Sequence, residues 1–306
     1  MILKHFTHPK QKFTLFFIFS LVGLLVQAQD FKSEFNTYFV NQDTLNQRLV
    51  LDKWEDAKPD DIDLKISLLN YHFRKSREEV INMTTDAPQG AGLAIQDSLG
   101  NEKAYLSSHF VFDLSELEKG LSKIDEAIKD HPDRLDLRFG KTYVLGQVPL
   151  WERFTQEILI TVVYSQKNDN QWLWADNEKL TEGQDFLLGS IQDYQLQLYN
   201  TSDDSLLENM RRIAFQVLKF YPTHVESWSN IAITYSLQGE FDQAIFYLRK
   251  AEEINPSDTI VLGNLANNYQ QLDQLDKAES YLLKVIDLGS AQEQEFAKQR
   301  LEALRK

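Results

Sequence analysis

Six side chains in the last third of the chain are spaced to bind rather than to react: Ser229, Asn230 and Ile233, followed by Asn264, Asn267 and Gln271. Asn and Gln amides each carry donors and acceptors without charge, so a strip of them can pair with the backbone of an extended peptide. A second pair, Trp172 and Trp174, lies two residues apart in a polar stretch, 166–184. An extended segment would turn both indoles to one side. There they could stack on a sugar or apolar ligand, or anchor the loop to neighbouring helices.

The residues of covalent and acid–base chemistry lack the company they need. His72, His109, His131 and His224 are isolated, with no His-Glu-x-x-His or other ligand spacing, so no metal site is expected. There is no cysteine, which excludes disulfides, thiolate metal sites and thiol nucleophiles. Gly90-Ala91-Gly92 lacks the rest of a dinucleotide fingerprint, and neither a phosphate loop nor a Gly-x-Ser-x-Gly elbow occurs. Carboxylates are plentiful, but no acid and base pair stands out from the solvated surface charge expected of helices. The sequence therefore points to a protein that is not an enzyme and needs no cofactor.

The amide strip depends on a repeat. Placing residues 225–258 above those from 259 onward aligns Trp228 with Leu262, Ala232 with Ala266, Tyr235 with Tyr269, Ala244 with Ala278, Tyr247 with Tyr281 and Leu248 with Leu282, always at an offset of 34. Each unit holds two amphipathic stretches, 225–237 and 241–254 in the first, with Gly239 at the turn. Asn255-Pro256-Ser257-Asp258 then stops one helix and starts the next. The small residues Ala232, Ala244, Ala266 and Ala278 allow close helix approach, so the pattern describes packing rather than chemistry.

Trp228, Ile231-Ala232, Tyr235, Ala244, Leu248, Ala251 and Pro256 fall on the Trp, Leu-Gly, Tyr, Ala, Phe, Ala and Pro places of the tetratricopeptide repeat, which this segment resembles. The resemblance implies stacked helix pairs whose first helices line a concave face, with the six residues above upon it. Some members of that family clamp a peptide's terminal carboxylate with asparagines and cations. Asn230, Asn264 and Asn267 resemble the amides, but Ser229 and Gly263 stand where a lysine is wanted, so a neutral or basic segment is expected.

Lys58-Pro59-Asp60, His131-Pro132-Asp133 and Tyr221-Pro222-Thr223 repeat the junction upstream. Gly120, Ile124 and Ala127 precede Pro132 as Ala244, Leu248 and Ala251 precede Pro256. Helices are expected at about 41–57, 60–78, 113–130, 133–147, 149–166, 184–199 and 203–220, with turn residues between 93–96 and 103–106 marking a β-hairpin. The expected fold class is all-α: a tetratricopeptide-like solenoid of helical hairpins with a small β-hairpin insertion near 93–106. It divides into a degenerate repeat region at 29–190, with insertions at 79–110 and 166–184, and a repeat domain at 191–306 that includes a polar-faced helix at 292–304.

At the start, Lys4, Lys10 and Lys12 precede an apolar run from Phe13 to Val26 that closes on Val26-Gln27-Ala28. This reads as a signal peptide, 1–28, cleaved after Ala28 and leaving a soluble periplasmic or secreted protein with no stable membrane insertion. Without the three leader lysines the chain has 29 basic against 46 acidic residues, a balance of −17. Such a polyanion repels phosphate backbones, so nucleic acid is not an expected partner. The expected function is a protein- or peptide-binding scaffold; the alternative is a carbohydrate- or glycan-handling accessory of the envelope that uses Trp172 and Trp174. Asp-Ser/Thr-aliphatic triplets at Thr44, Ser98, Ser205 and Thr259 resemble acceptors of some bacterial O-glycosylation systems, though helix caps produce the same letters.

Overall fold

A computed structural model describes residues 30–87 and 92–305. The expected leader, 1–28, and most of the turn cluster at 88–92 lie outside these residues. The chain divides into two compact units, the first comprising 30–150 with 172–179 and the second 151–171 with 180–305.

The first unit holds α1 (Phe31–Val40), α2 (Thr44–Ala57), α3 (Ile62–Ser76), β1 (Arg77–Thr84), β2 (Leu93–Gln96), β3 (Glu102–Phe112), α4 (Leu114–Asp130) and α5 (Leu135–Gln147). Four of its five helices start on aspartates whose carboxylates accept from backbone N–H groups: Asp30 from Ser33, Asp43 from Asn46, Asp61 from Asp63 and Asp113 from Ser115. The apolar faces of α1, α2 and α3 close on Phe35, Leu51, Trp54, Leu64 and Leu68. The Trp54 indole also donates to Asp61 at 3.0 Å, tying α2 to the cap of α3.

Helices α3 and α4 form a close hairpin at Gly120. A Cβ there would sit 3.0 Å from the His72 Cβ and 3.1 Å from the Leu69 Cα, so the contact needs a residue without a side chain. Into the turn of this hairpin the chain inserts a three-stranded antiparallel sheet of order β1-β3-β2, and the Asp113 amide donates to the Ser76 carbonyl at 2.8 Å across its base. The expected hairpin is present as β2 and β3, with Leu93 opposite Leu106. It gains an unexpected third strand, β1, which runs straight out of α3 and pairs Arg77 with Phe112 through to Thr84 with Tyr105. Opposite residues share a face, so Ile81, Met83, Leu93 and Phe110 lie on one side, and all four are substantially exposed.

Four side chains brace the root of the sheet. Glu116, buried on α4, accepts from His72 Nδ1 at 2.9 Å, from Lys75 at 2.9 Å and from Lys119 at 2.6 Å. Burial alone would push its carboxyl up, but the hydrogen bonds from Lys119, Lys75 and His72 prevail and bring it down to about 2. Burial lowers the His72 imidazole, leaving it neutral at pH 7 and able to donate to the carboxylate.

The second unit holds α6 (Trp151–Lys167), α7 (Gly183–Asn200), α8 (Leu207–Phe220), α9 (Val225–Leu237), α10 (Phe241–Ile254), α11 (Thr259–Gln271), α12 (Leu275–Leu288) and α13 (Ala291–Leu304). The 34-residue offset reappears in three dimensions. Tyr235 stacks on Tyr247 with ring centroids 5.5 Å apart, and Tyr269 stacks on Tyr281 at 5.6 Å. The α9–α10 turn passes through Gly239 at φ 77°, and the α11–α12 turn through Asp273 at φ 57°, the equivalent position. Ala232, Ala244, Leu248, Leu262, Ala266 and Leu282 are all buried in one core, as close packing of the pairs requires. Glu252 binds one pair to the next, accepting from Tyr281 at 2.9 Å and from Lys284 at 2.8 Å. Serine and glutamate side chains cap α13 reciprocally at Ser290 and Glu293, and only Ala297 and Leu301 on that helix are buried.

The expected helices are all found, most within two or three residues of the expected bounds, and α1 is an additional one. Among the described residues no helix is long and apolar enough to cross a membrane.

Candidate functional site

In the second unit α7 and α9 are joined by a reciprocal amide pair: Asn230 Nδ2 donates to Gln192 Oε1 at 2.8 Å, and Gln192 Nε2 donates to Asn230 Oδ1 at 3.4 Å. Beside this bridge runs a groove of about 360 Å³. Its apolar lining comes from Leu188 on α7, Val225 and Ile233 on α9, and Ile260 reaching in from α11. Ser229 and Asn230 bring the polar groups. Ser229 is 7% exposed, and its hydroxyl has no hydrogen-bond partner among the described residues.

The rim is acidic. Asp185 and Asp193 stand on α7, Glu226 on the first turn of α9 and Asp258 at the start of α11, and no lysine or arginine lines the groove. Asp258 is committed to capping, accepting from the Ile260 and Val261 amides at 2.9 and 3.1 Å. Glu226 lies 3.3 Å from His224 Nε2. Burial lowers the His224 imidazole more than the neighbouring carboxylate raises it, so at neutral pH it adds no positive charge.

Five of the six residues of the expected strip are distributed over two sites. Ser229, Asn230 and Ile233 line the α7–α9 groove, whereas Asn264 and Asn267 line a smaller cavity, about 110 Å³, between α11 and α13. Part of that second surface is covered by α13: Arg300 lines the cavity and reaches toward the Gly263 carbonyl at 3.4 Å, and Thr259 donates to Glu293 at 2.7 Å. Gln271 is exposed and lines neither.

Trp172 and Trp174 belong to the first unit. Leu173 between them donates to the Asp133 carbonyl and accepts from the Leu135 amide, both at 2.9 Å, which fixes the segment against the start of α5. Trp172 is wholly buried, so it offers no face to a ligand, and Trp174 packs edge-on against Phe139. The aspartates of three of the four Asp-Ser/Thr triplets bind backbone: Asp43 and Asp258 cap helices, and Asp97 accepts from the Leu99 and Asn101 amides in the β2–β3 turn, while at Ser205 the capping carboxylate is that of Asp203, one residue before the triplet.

Models of the tetratricopeptide repeat family match residues 225–258 and 261–288. Residues 225–288 are tetratricopeptide repeats. The match covers the helix pairs α9–α10 and α11–α12, so the α7–α9 groove is formed where the first helix of the matched repeats meets α7, two helices earlier in the chain. Comparison with curated proteins gives no match. Among solved structures, the chain is similar to a thermophilic tetratricopeptide protein of Thermus thermophilus at 15% identity, covering 62% of this chain and 91% of that one with a TM-score of 0.37. It is similar also to YrrB, described as a tetratricopeptide protein with an unusual peptide-binding site, at 16% identity over 61% and 85% with a TM-score of 0.38. The C-terminal part of a repeat-containing protein from Cytophaga hutchinsonii matches at 12% identity over 84% and 78%, with a TM-score of 0.40.

Sequence reasoning missed the contribution of α7. Counting back 34 residues from Glu226 reaches Gln192, yet Gln192 pairs with Asn230, four residues further on. Helix α7 has 18 residues where α9 has 13, and a shift of four residues is about one helical turn. The repeat arithmetic therefore identifies a preceding unit but not which of its side chains face the groove.

Proposed function

We propose that this chain is a non-catalytic scaffold or adaptor that holds a protein segment in extended form against α7 and α9. It acts in the periplasm or outside the cell once the leader has been removed. Tetratricopeptide repeats bind proteins or peptides, and the observation that carries the reading is the groove itself. It combines an apolar floor with the Ser229 hydroxyl and side-chain amides, a combination that suits an extended backbone with alternating side chains. The α3–α4 and α7–α8 hairpins are read as degenerate members of the same series, giving a degenerate region over 29–190 and the repeat domain over 191–306. Asn264, Asn267 and Gln271 extend the contact surface along α11.

Site-specific photocrosslinking in the native compartment tests this. A crosslinker at Gly189 on the groove is compared with one at Asp242, which is exposed on α10. A discrete protein adduct from position 189 that is absent from position 242 supports the reading. Equal adducts from both positions, or none from either, refute it.

A further inference from the structure

The groove also carries information about the charge of its occupant, and this inference rests on the peptide-binding reading above. The buried carboxylates Glu116 and Glu252 are neutralised internally, by Lys75 and Lys119 and by Arg249 and Lys284, and the exposed Glu152 pairs with Arg212. Asp185 and Asp193 are exposed, border the groove and have no ion-pair or hydrogen-bond partner among the described residues. With Glu226 and Asp258 they surround the apolar floor with four acidic side chains and no Lys or Arg. Negative potential focused in a low-dielectric cleft raises the local concentration of cations. A separate feature points to the groove too: Ser229, a residue more than nine-tenths buried, lines it and makes no side-chain hydrogen bond among the described residues. An incoming backbone amide or carbonyl could pair with it.

The geometry points to a cationic occupant: we infer that the α7–α9 groove selects an extended segment carrying two basic side chains on either side of an apolar one. The spacing follows from the helix. Asp185 and Asp193 are eight residues apart on α7, about 12 Å at 1.5 Å per residue. An extended chain rises about 3.3 Å per residue, so residues four apart span about 13 Å and point to the same side. A basic residue, an apolar residue two positions on and a second basic residue two beyond that would meet Asp185, the floor of Leu188 and Ile233, and Asp193 in turn. The Ser229 hydroxyl and the Gln192 and Asn230 amides then face the peptide backbone.

A phage-displayed library of random dodecapeptides provides the test. It is selected in parallel on the full chain, on the Asp185→Asn/Asp193→Asn variant and on Asp242→Asn/Asp276→Asn, which removes the same charge from exposed positions on α10 and α12. Two partly exposed ion pairs should enrich paired basic residues at spacing four about fivefold over the unselected library on the full chain and on the control. On the groove variant the enrichment should fall below about twofold. Equal enrichment on all three proteins overturns the inference, because overall acidity would then explain it. Selected peptides that protect α7 and α9 from hydrogen exchange without a basic bias overturn it while leaving the peptide-binding reading intact. A selection that enriches nothing overturns both.

Discussion

Replacing Glu116 with Gln tests whether the charged brace, rather than apolar packing alone, holds the α3–α4 hairpin together beneath the sheet. The carboxyl falls from an ordinary 4.5 to about 2 despite burial that acts in the opposite direction. A shift of that size corresponds to roughly 3 kcal/mol favouring the ionised folded form at neutral pH. Lys75 and Lys119 are 49% and 59% exposed, so solvent screens much of their share, and about 1–2 kcal/mol is the realistic loss. Because the folded-state value is depressed, the stabilisation is complete above about pH 4.5 and is lost as pH falls toward 2. Native-state hydrogen exchange read by mass spectrometry suits a chain of two units, since each segment reports its own opening free energy. At pH 7 the α3 and α4 amides of Glu116→Gln should exchange about 5- to 30-fold faster than wild type, with α11 and α12 unchanged. Wild-type and variant protection in α3 and α4 should converge as pH is lowered from 4.5 toward 2. Equal protection at pH 7, or a loss spread evenly to α11 and α12, would refute the brace.

Three further substitutions follow from the packing. Gly120→Ala gains up to about 1 kcal/mol of helix propensity but drives a methyl group into the Leu69 backbone, so a net loss of about 1–2 kcal/mol is expected as a lower melting temperature by circular dichroism. Trp172→Ala empties a wholly buried site and should cost about 3–5 kcal/mol in urea unfolding of the first unit; a loss below about 1 kcal/mol would contradict its burial. In Glu252, burial raises the carboxyl but the hydrogen bonds from Lys284 and Tyr281 outweigh it and hold it below the usual range. Its contribution is therefore present above about pH 4.3 and fades on acidification, and Glu252→Gln should flatten the dependence of repeat-segment stability on pH between about 5 and 3.

Much of the second unit was legible in the sequence because tetratricopeptide packing writes itself into side-chain size. Ala232, Ala244, Ala266 and Ala278 must be small where helices touch, and the two stacked tyrosine pairs repeat with the same period. Gly120 obeyed the same rule without a second copy beside it to advertise the register. Helix α1 escaped notice because its aromatic residues adjoin the apolar leader pattern, although Asp30 before Phe31 and the spacing of Phe31 and Phe35 are the signals that could have found it. Strand β1 was hidden for a different reason. It has no turn residue separating it from α3 and is exposed along most of its length, so neither punctuation nor alternation marks it. The amides of the groove were visible, but its acids were not, since Asp185 and Asp193 come from a helix that carries no repeat motif and whose extra length moves the register.

The inserted sheet leaves Ile81, Met83, Leu93 and Phe110 facing water on a single side, a greasy raft on an otherwise strongly anionic molecule. Repulsion between like-charged copies opposes contact between such rafts in dilute buffer, and that repulsion has a short range. Raising ionic strength from about 0.1 M to 1 M contracts the Debye length from about 10 Å to about 3 Å while leaving the hydrophobic attraction in place. Colloidal behaviour should accordingly be salt-sensitive in the direction opposite to that of a protein whose copies are drawn together by charge: dispersed in weak brine, clustering in strong.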